Sequence, residues 1–308
     1  MKIRNKVLAV LLTVAMVGVL GGCGSSNSNT SGNAAEPTQA ATDTPAATEA
    51  PTDAATETPA EGISGTVTIT GSTSVEKILN DMIDEFTALN PDVTINYTGT
   101  GSSAGIDDTA SGANDIGASS RNLKEEEKSA DIKEVTFAYD GIAVAVNPAN
   151  PLTDISTEDL AKIFSGQVTN WSQIGGNDAD IVVVSREGAS GTRSAFEELV
   201  KLEDAGGLTE SATVVEGNGN VQTAVAGNEN AIGYVSFSYI DATVKALTVN
   251  GVEGTPEHSK SGEYVLSRPF LFVYKEASAS AATKAFIEFS LSEDGQTFVE
   301  KHGGIKVD

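Results

Sequence analysis

The chain has 308 residues, 39% of them hydrophobic, which is length and apolar content enough for two packed units, and its formal charge is −24. A surface this acidic repels nucleic acid and anionic lipid headgroups, so polyanionic partners are excluded. Cys23 is the single cysteine, which rules out an intrachain disulfide and any cysteine-based metal site.

Lys2, Arg4 and Lys6 precede an apolar run from Val7 to Leu20, too short to span a bilayer comfortably and shaped like an export signal. The run ends in Leu20-Gly21-Gly22-Cys23, which resembles the lipobox of bacterial lipoproteins. That resemblance implies a signal peptide over 1–22 and a lipid-modified N-terminus at Cys23. Residues 24–62 are almost all Ser, Asn, Thr, Ala, Pro, Gly, Asp and Glu, a composition that cannot bury a core. Residues 23–62 are therefore expected to form a disordered Thr/Ala/Pro/Glu-rich tether with a reach of roughly 35 Å. Removing the three N-terminal cations leaves a charge of −27, and removing the six tether acids leaves −21 for 63–308. A small enclosed anion is still compatible with that charge. Exposed charges are screened beyond about 8–10 Å, whereas buried hydrogen-bonded sites are screened much less.

In the remaining chain, Thr66 to Thr70 alternates as a strand does, and Gly71-Ser-Thr-Ser74 follows as a turn. Val75, Ile78, Leu79, Met82, Phe86 and Leu89 then recur at spacings of three and four, the pattern of an amphipathic helix that ends at Asn90-Pro91. A second strand, Val93 to Tyr97, runs into Gly99-Thr-Gly-Ser-Ser-Ala-Gly105 and a short helix. Val135 to Asn147 is a long apolar stretch, suited to a buried strand that crosses between lobes. Leu160, Ile163 and Phe164 mark a helix, and Trp171 reads as a core residue. Ala231 to Phe237 is another buried strand. Tyr264 to Tyr274 reads as a return strand interrupted by Arg268-Pro269, and a helix covers Ala281 to Leu291.

Between the apolar run Ile181–Val184 and a helical segment lies Ser185-Arg-Glu-Gly-Ala-Ser-Gly-Thr-Arg193. A helix beginning near Thr192 leaves its first N–H groups unpartnered and places partial positive charge there. Ser190 and Thr192 add hydroxyls, Gly191 permits close backbone approach, and Arg186 offers a planar cationic fork. The loop is suited to a small oxyanion. Strand, Gly/Ser turn and helix start recur near residues 71, 102 and 190, so neutral donors converge from three places. Repeated alternation of strands and helices predicts an α/β fold with parallel-dominated sheets.

The ordered set Gly71-Ser-Thr-Ser-Val75, Gly101-Ser-Ser103, Asp115-Ile-Gly-Ala-Ser119 and Arg186-Glu-Gly-Ala-Ser-Gly-Thr192 is similar to the PstS family of phosphate-binding proteins over roughly residues 64–308. The resemblance implies a two-lobed periplasmic-binding-protein-like fold, each lobe a mixed, mainly parallel sheet flanked by helices and joined by hinge strands. It places 63–140 plus 262–308 in one lobe and 141–261 in the other. It implies a solute-binding protein rather than an enzyme. Such a protein, expected to be a monomer without cofactor or metal, would be anchored by its lipid at the outer membrane face and deliver inorganic phosphate to ABC transporter permease subunits. The implied ligands are Ser74, the Val75 amide, Ser102, Arg186, Ser190, Gly191 and Thr192. Where the family's motif ends in an aspartate that accepts the phosphate proton, this chain has Ser120. A serine can accept a proton but imposes less electrostatic penalty on sulfate. Asp140, beside Gly141 at the start of the crossing strand, is the expected replacement acceptor, with Glu187 a weaker candidate.

Two other classes compete. A phosphate-ester hydrolase has little support: the Gly-x-Ser-x-Gly spacing is absent, and His258 and His302 read as surface residues. No cluster has zinc spacing, and the Walker lysine is missing. Binding of another tetrahedral oxyanion, such as sulfate, molybdate or tungstate, stays open because of Ser120.

Overall fold

The computed structural model describes residues 62–307. The export segment, Cys23 and nearly all of the tether lie outside the described residues. No helix among the described residues is long and apolar enough to cross a membrane.

The chain runs β1 (Gly65–Gly71), α1 (Glu76–Leu89), β2 (Val93–Gly99), α2 (Ser102–Ser111), β3 (Ile116–Ser119) and the long β4 (Ile132–Val146). It continues with β5 (Asp154–Ile155), α3 (Thr157–Phe164), β6 (Val182–Arg186), α4 (Gly191–Leu199), β7 (Thr213–Val215), α5 (Gly217–Ala226), β8 (Ala231–Ser236) and β9 (Lys245–Val249). Last come α6 (Pro256–Ser261), β10 (Ser267–Lys275), α7 (Ala281–Leu291), α8 (Glu293–Lys301) and β11 (Ile305–Lys306). Alternation in β1 buries Val67 and Ile69. The stripe of α1 buries Ile78, Leu79, Met82 and Phe86, as its spacing requires.

The main sheet path is β2-β1-β3-β10-β4-β8-β6-β7. Its flanks are parallel, β1 with β2 and β3, and β6 with β7 and β8. Its centre is antiparallel, because β10 runs against both β3 and β4, and β4 runs against β8. The sheet is therefore mixed, and its antiparallel part is organised on β4, which runs against β8, β9, β10 and β11. Tyr264 to Tyr274 does not break at Arg268-Pro269. Pro269 lies inside β10 opposite Tyr139, and the irregularity falls one step later, between Phe270 and Leu271.

Two large apolar clusters fill the interior. One gathers Ile69, Met82, Phe137, Phe270, Phe272 and Phe286 with their neighbours. The second gathers Ile142, Val144, Phe164, Phe196, Tyr234 and Leu266 with theirs. Phe137 and Phe272 stack at 4.2 Å in the first, and Phe196 and Tyr234 stack at 4.1 Å in the second. Burying a side chain of this size contributes about 1.5–3 kcal/mol. The strand β4 serves the first cluster through Phe137 and Ala138 and the second from Ile142 onward. The changeover falls at Asp140, which pairs in register with Arg268 of β10.

The end of α8 is fastened to α1 through Asp81, which accepts from Lys301 Nζ at 2.6 Å and contacts His302 Nε2 at 2.8 Å. The Lys301 bond, then the His302 bond, holds the Asp81 carboxyl below the usual carboxylate range. Because the folded-state pKa is the lower one, the contribution is complete above the unfolded value of about 3.9 and is lost as pH falls through the lowered value. The melting-temperature difference between the native chain and Asp81→Asn is expected to be small but measurable at neutral pH and to vanish in acid. A difference that stays constant down to low pH would contradict this.

Candidate oxyanion site

Each of the three turns read from the sequence ends a strand and starts a helix. After β1, Ser72 accepts from the Ser74 N–H at 3.1 Å and opens the 3-10 turn Thr73–Val75. After β2, Gly101 at φ +92° opens α2, a left-handed conformation that favours glycine. After β6, Ser190 caps α4 by accepting from the Arg193 N–H at 3.2 Å. The strand before this loop extends through Arg186, two residues further than the apolar run indicates, because Arg186 is itself 1% exposed and ladders with Val215 of β7. Phe196 of α4 stacks on Tyr234 of β8 at 4.1 Å, which packs the helix against the strand next to β6.

The starts of α2 and α4 touch. The Ser103 N–H donates to the Ala189 carbonyl at 3.1 Å. Gly191 packs so closely that an added Cβ would lie 2.1 Å from Ser102 Oγ and 2.7 Å from Ser120 Oγ. Ser74 Oγ lies 2.8 Å from Thr192 Oγ1, joining the first turn to the third. Thus Ser74, Ser102, Ser120, Arg186, Gly191 and Thr192 come together, all of the polar ones buried. Val75 sits in the same turn with its side chain in the first apolar cluster, so it can offer only main-chain atoms.

Arg186 is held by its neighbour. Its Nε and Nη2 donate to the two Glu187 carboxylate oxygens at 2.8 and 2.7 Å, a forked pair. Nη2 also donates to Thr73 Oγ1 at 3.2 Å, and Nη1 makes a longer 3.5 Å contact with Thr192 Oγ1.

The structure places Asp140 differently from the role of free acceptor. Its Oδ2 accepts from Arg268 Nη2 at 2.8 Å and Nε at 3.1 Å, and its Oδ1 accepts from Ser236 Oγ at 2.9 Å. Asp140 is the counter-ion of a buried arginine, with both oxygens engaged. Burial pushes its carboxyl above the usual carboxylate range and pushes the Arg268 guanidinium below its own, each partner's charge opposing the other's shift. Glu187 is likewise committed, to Arg186. Arg121, next to Ser120, turns away and forms a bidentate pair with Glu127 at 2.6 Å.

Three site residues escaped the sequence reading. Arg268 reaches Ser74 Oγ with Nη2 at 3.0 Å and the Ser120 carbonyl with Nη1 at 3.3 Å. Asn218, fully buried in the first turn of α5, donates to Ser74 Oγ and Thr73 Oγ1, both at 3.1 Å. Thr73 receives both Asn218 and Arg186. A signal for Arg268 did exist: an arginine inside an apolar strand needs a buried partner, and Asp140 stands inside the other long apolar strand.

Two guanidinium groups thus face the site, each balanced by one carboxylate, and hydroxyls fill the space between them. Such an arrangement offers many hydrogen-bond donors at little net charge, as a tetrahedral oxyanion requires.

The PBP superfamily domain model matches residues 38–294. The phosphate-binding protein PstS of Bacillus subtilis is 32% identical, with the match covering 99% of this chain and 95% of that protein. PstS of Borreliella burgdorferi is 34% identical over 78% of this chain and 90% of that protein. Among solved structures, a Clostridium perfringens phosphate ABC transporter substrate-binding protein with bound phosphate is 48% identical, with a TM-score of 0.77, covering 79% of this chain and all of that one. With matches of this extent and the three-turn site in place, the chain belongs to the PstS family of phosphate-binding proteins, within the PBP superfamily.

Proposed function

We propose that the chain binds inorganic phosphate where the three turns meet and hands it to the permease of an ABC transporter. The observation that carries this reading is the convergence of Arg186 and Thr192, from the second cluster's side, on Thr73 and Ser74, from the first. Ser74, the Val75 amide and Ser102 serve as ligands from one lobe, and Arg186, Ser190, Gly191 and Thr192 from the other. Residues 63–140 with 262–308 form the first lobe and 141–261 the second. Only the closed arrangement lets both sets bond one anion, so the anion favours closure, and the permease recognises the closed shape. The signal-like segment 1–22 and the lipobox-like Cys23 support export and a lipid anchor at the outer face of the membrane, with the binding unit acting as a monomer.

Binding of a different tetrahedral oxyanion is a second reading, favoured by Ser120 where the family's motif carries a carboxylate. Titration calorimetry of the purified chain with phosphate, sulfate, molybdate and tungstate tests both. Phosphate binding tighter than the other three supports the first reading, and tighter binding of any other anion replaces it.

Gly191→Ala probes the closure directly. The new Cβ would stand 2.8 Å from Ser102 Cβ, which no hydroxyl rotation relieves. Overpacking costs about 1–3 kcal/mol, so phosphate affinity is expected to fall roughly 5- to 150-fold. The denaturant midpoint of the ligand-free chain should hardly move, because open lobes do not make this contact. An unchanged affinity would place closure elsewhere.

A further inference from the structure

A hydroxyl has two lone pairs and one hydrogen, and the partners of the site's hydroxyls decide which it can still offer. Ser74 Oγ accepts from Arg268 Nη2 at 3.0 Å and from Asn218 Nδ2 at 3.1 Å. Its lone pairs are taken, so in the 2.8 Å contact with Thr192 Oγ1 it is Ser74 that donates. Thr192 Oγ1, which also faces Arg186 Nη1 at 3.5 Å, is left with a hydrogen. Thr73 Oγ1 accepts from Arg186 Nη2 at 3.2 Å and Asn218 Nδ2 at 3.1 Å, and has the same remainder. None of these donors can reverse. Arginine has no acceptor, and the Asn218 amide is oriented by its Oδ1, which accepts the Ser236 N–H at 3.1 Å.

The opposite wall differs. Ser102 Oγ accepts from the Ser120 N–H at 3.1 Å and lies 3.3 Å from Ser120 Oγ. When Ser102 takes the Ser120 hydrogen as well, both lone pairs of Ser120 Oγ are available.

We infer that Arg268, positioned by Asp140 and acting with Asn218 and Arg186, occupies the lone pairs of Ser74 and leaves Thr73 and Thr192 only hydrogens to offer, with Ser120 as the proton acceptor, so that the site selects the dibasic form of phosphate with its one proton turned toward Ser120. The inference rests on the phosphate reading. A monobasic anion carries a second proton, which must face a donor wall with no acceptor to meet it, and that clash is the source of the selection. Arg268 acts here as a positioning residue, through Ser74. The charged and titratable groups bearing on it are Asp140 on β4, Arg186 at the end of β6 with its partner Glu187, and Tyr234 on β8. The nearest acid of α1, Glu76, accepts from the Tyr239 hydroxyl at 3.1 Å. Because these groups can bend a single curve, the comparison between variants decides.

Calorimetry of the purified chain with inorganic phosphate and with sulfate, over a pH series spanning the second ionisation of phosphate, supplies the test. Phosphate affinity of the native chain is expected to fall about tenfold per pH unit below that ionisation and to level off above it, one proton separating the two forms. Sulfate affinity should show no such slope. Arg268→Met with Asp140→Asn removes both charges together and frees a Ser74 lone pair, and its phosphate slope should drop to about threefold per unit or less. Arg268→Lys keeps a donor and should keep the slope. Ser120→Ala, outside the ion pair, should weaken phosphate about tenfold while leaving sulfate nearly unchanged. Equal slopes in the native chain and the double variant would overturn the inference. Phosphate binding that is flat with pH in the native chain would overturn it alone, and absence of phosphate binding at every pH would overturn the phosphate reading with it.

Discussion

Arg186→Ala is expected to weaken phosphate binding by two to three orders of magnitude, about 3–4 kcal/mol. The guanidinium is 1% exposed and faces both Thr73 and Thr192, which belong to different turns of the site. Its loss removes charge-assisted bonds to a desolvated anion and also leaves Glu187 without its forked partner beside that anion. The second effect adds repulsion to the lost attraction. Arg186→Ala with Glu187→Gln should therefore recover part of the loss. Calorimetry at constant ionic strength measures both variants, and an affinity within threefold of the native value for Arg186→Ala would remove this loop from the site.

Arg268→Ala is expected to be the most destabilising single change among the site residues. It would strand the Asp140 carboxylate, 1% exposed, with no cation beside it and only neutral donors, the Ser236 hydroxyl and the Phe237 main chain, to hold it. Breaking a buried ion pair from one side costs about 3–5 kcal/mol, whereas replacing both partners together is often close to neutral. In a folded unit of this size, 1 kcal/mol moves the melting temperature by about 2–4 °C, so a fall of roughly 6–20 °C is expected. Adding Asp140→Asn should restore most of it. Chemical denaturation of the native chain, both single variants and the pair closes the double-mutant cycle, and additive losses would mean that the two side chains do not act as a unit.

The three helix starts are legible in the sequence because strand, Gly/Ser turn and helix are contiguous there, so Ser74, Ser102 and the Arg186–Thr192 loop each appear within a short window. The rest of the site is assembled from afar. Ser74 bonds Asn218 and Arg268 across separations of 144 and 194 residues. Asn218 stands in Gly-Asn-Gly-Asn, a run with the look of a loop, yet it forms the opening turn of α5. Arg268 was hidden by Pro269, since a proline removes a ladder donor and normally argues against a central strand. The strand tolerates it opposite Tyr139 and takes up the irregularity at Phe270 and Leu271. For Asp140 the sequence shows a carboxylate beside Gly141 in a long apolar stretch, which suggests a free acceptor, whereas the structure pairs it with Arg268. The need of Arg268 for a buried partner is legible, but that Asp140 stands opposite it is not, because register between two antiparallel strands is a tertiary property.

The position of β10 between β3 and β4 also orders events in time. Its residues, 267–275, come late in the chain, yet without them β3 and β4 have no common neighbour and the first apolar cluster lacks Phe270 and Phe272. The second cluster is built almost wholly from the continuous stretch 142–266 and needs no such wait. A chain emerging from its N-terminus is thus expected to complete the inner segment first, while β1, β2 and α1 stand ready but unsealed. Pulse-labelled hydrogen exchange during refolding should find β6 and β8 amides protected before those of β1 and β3, and simultaneous protection would contradict this order. The two apolar clusters therefore ripen at different times, and the late strand β10 is the seam that closes the first of them.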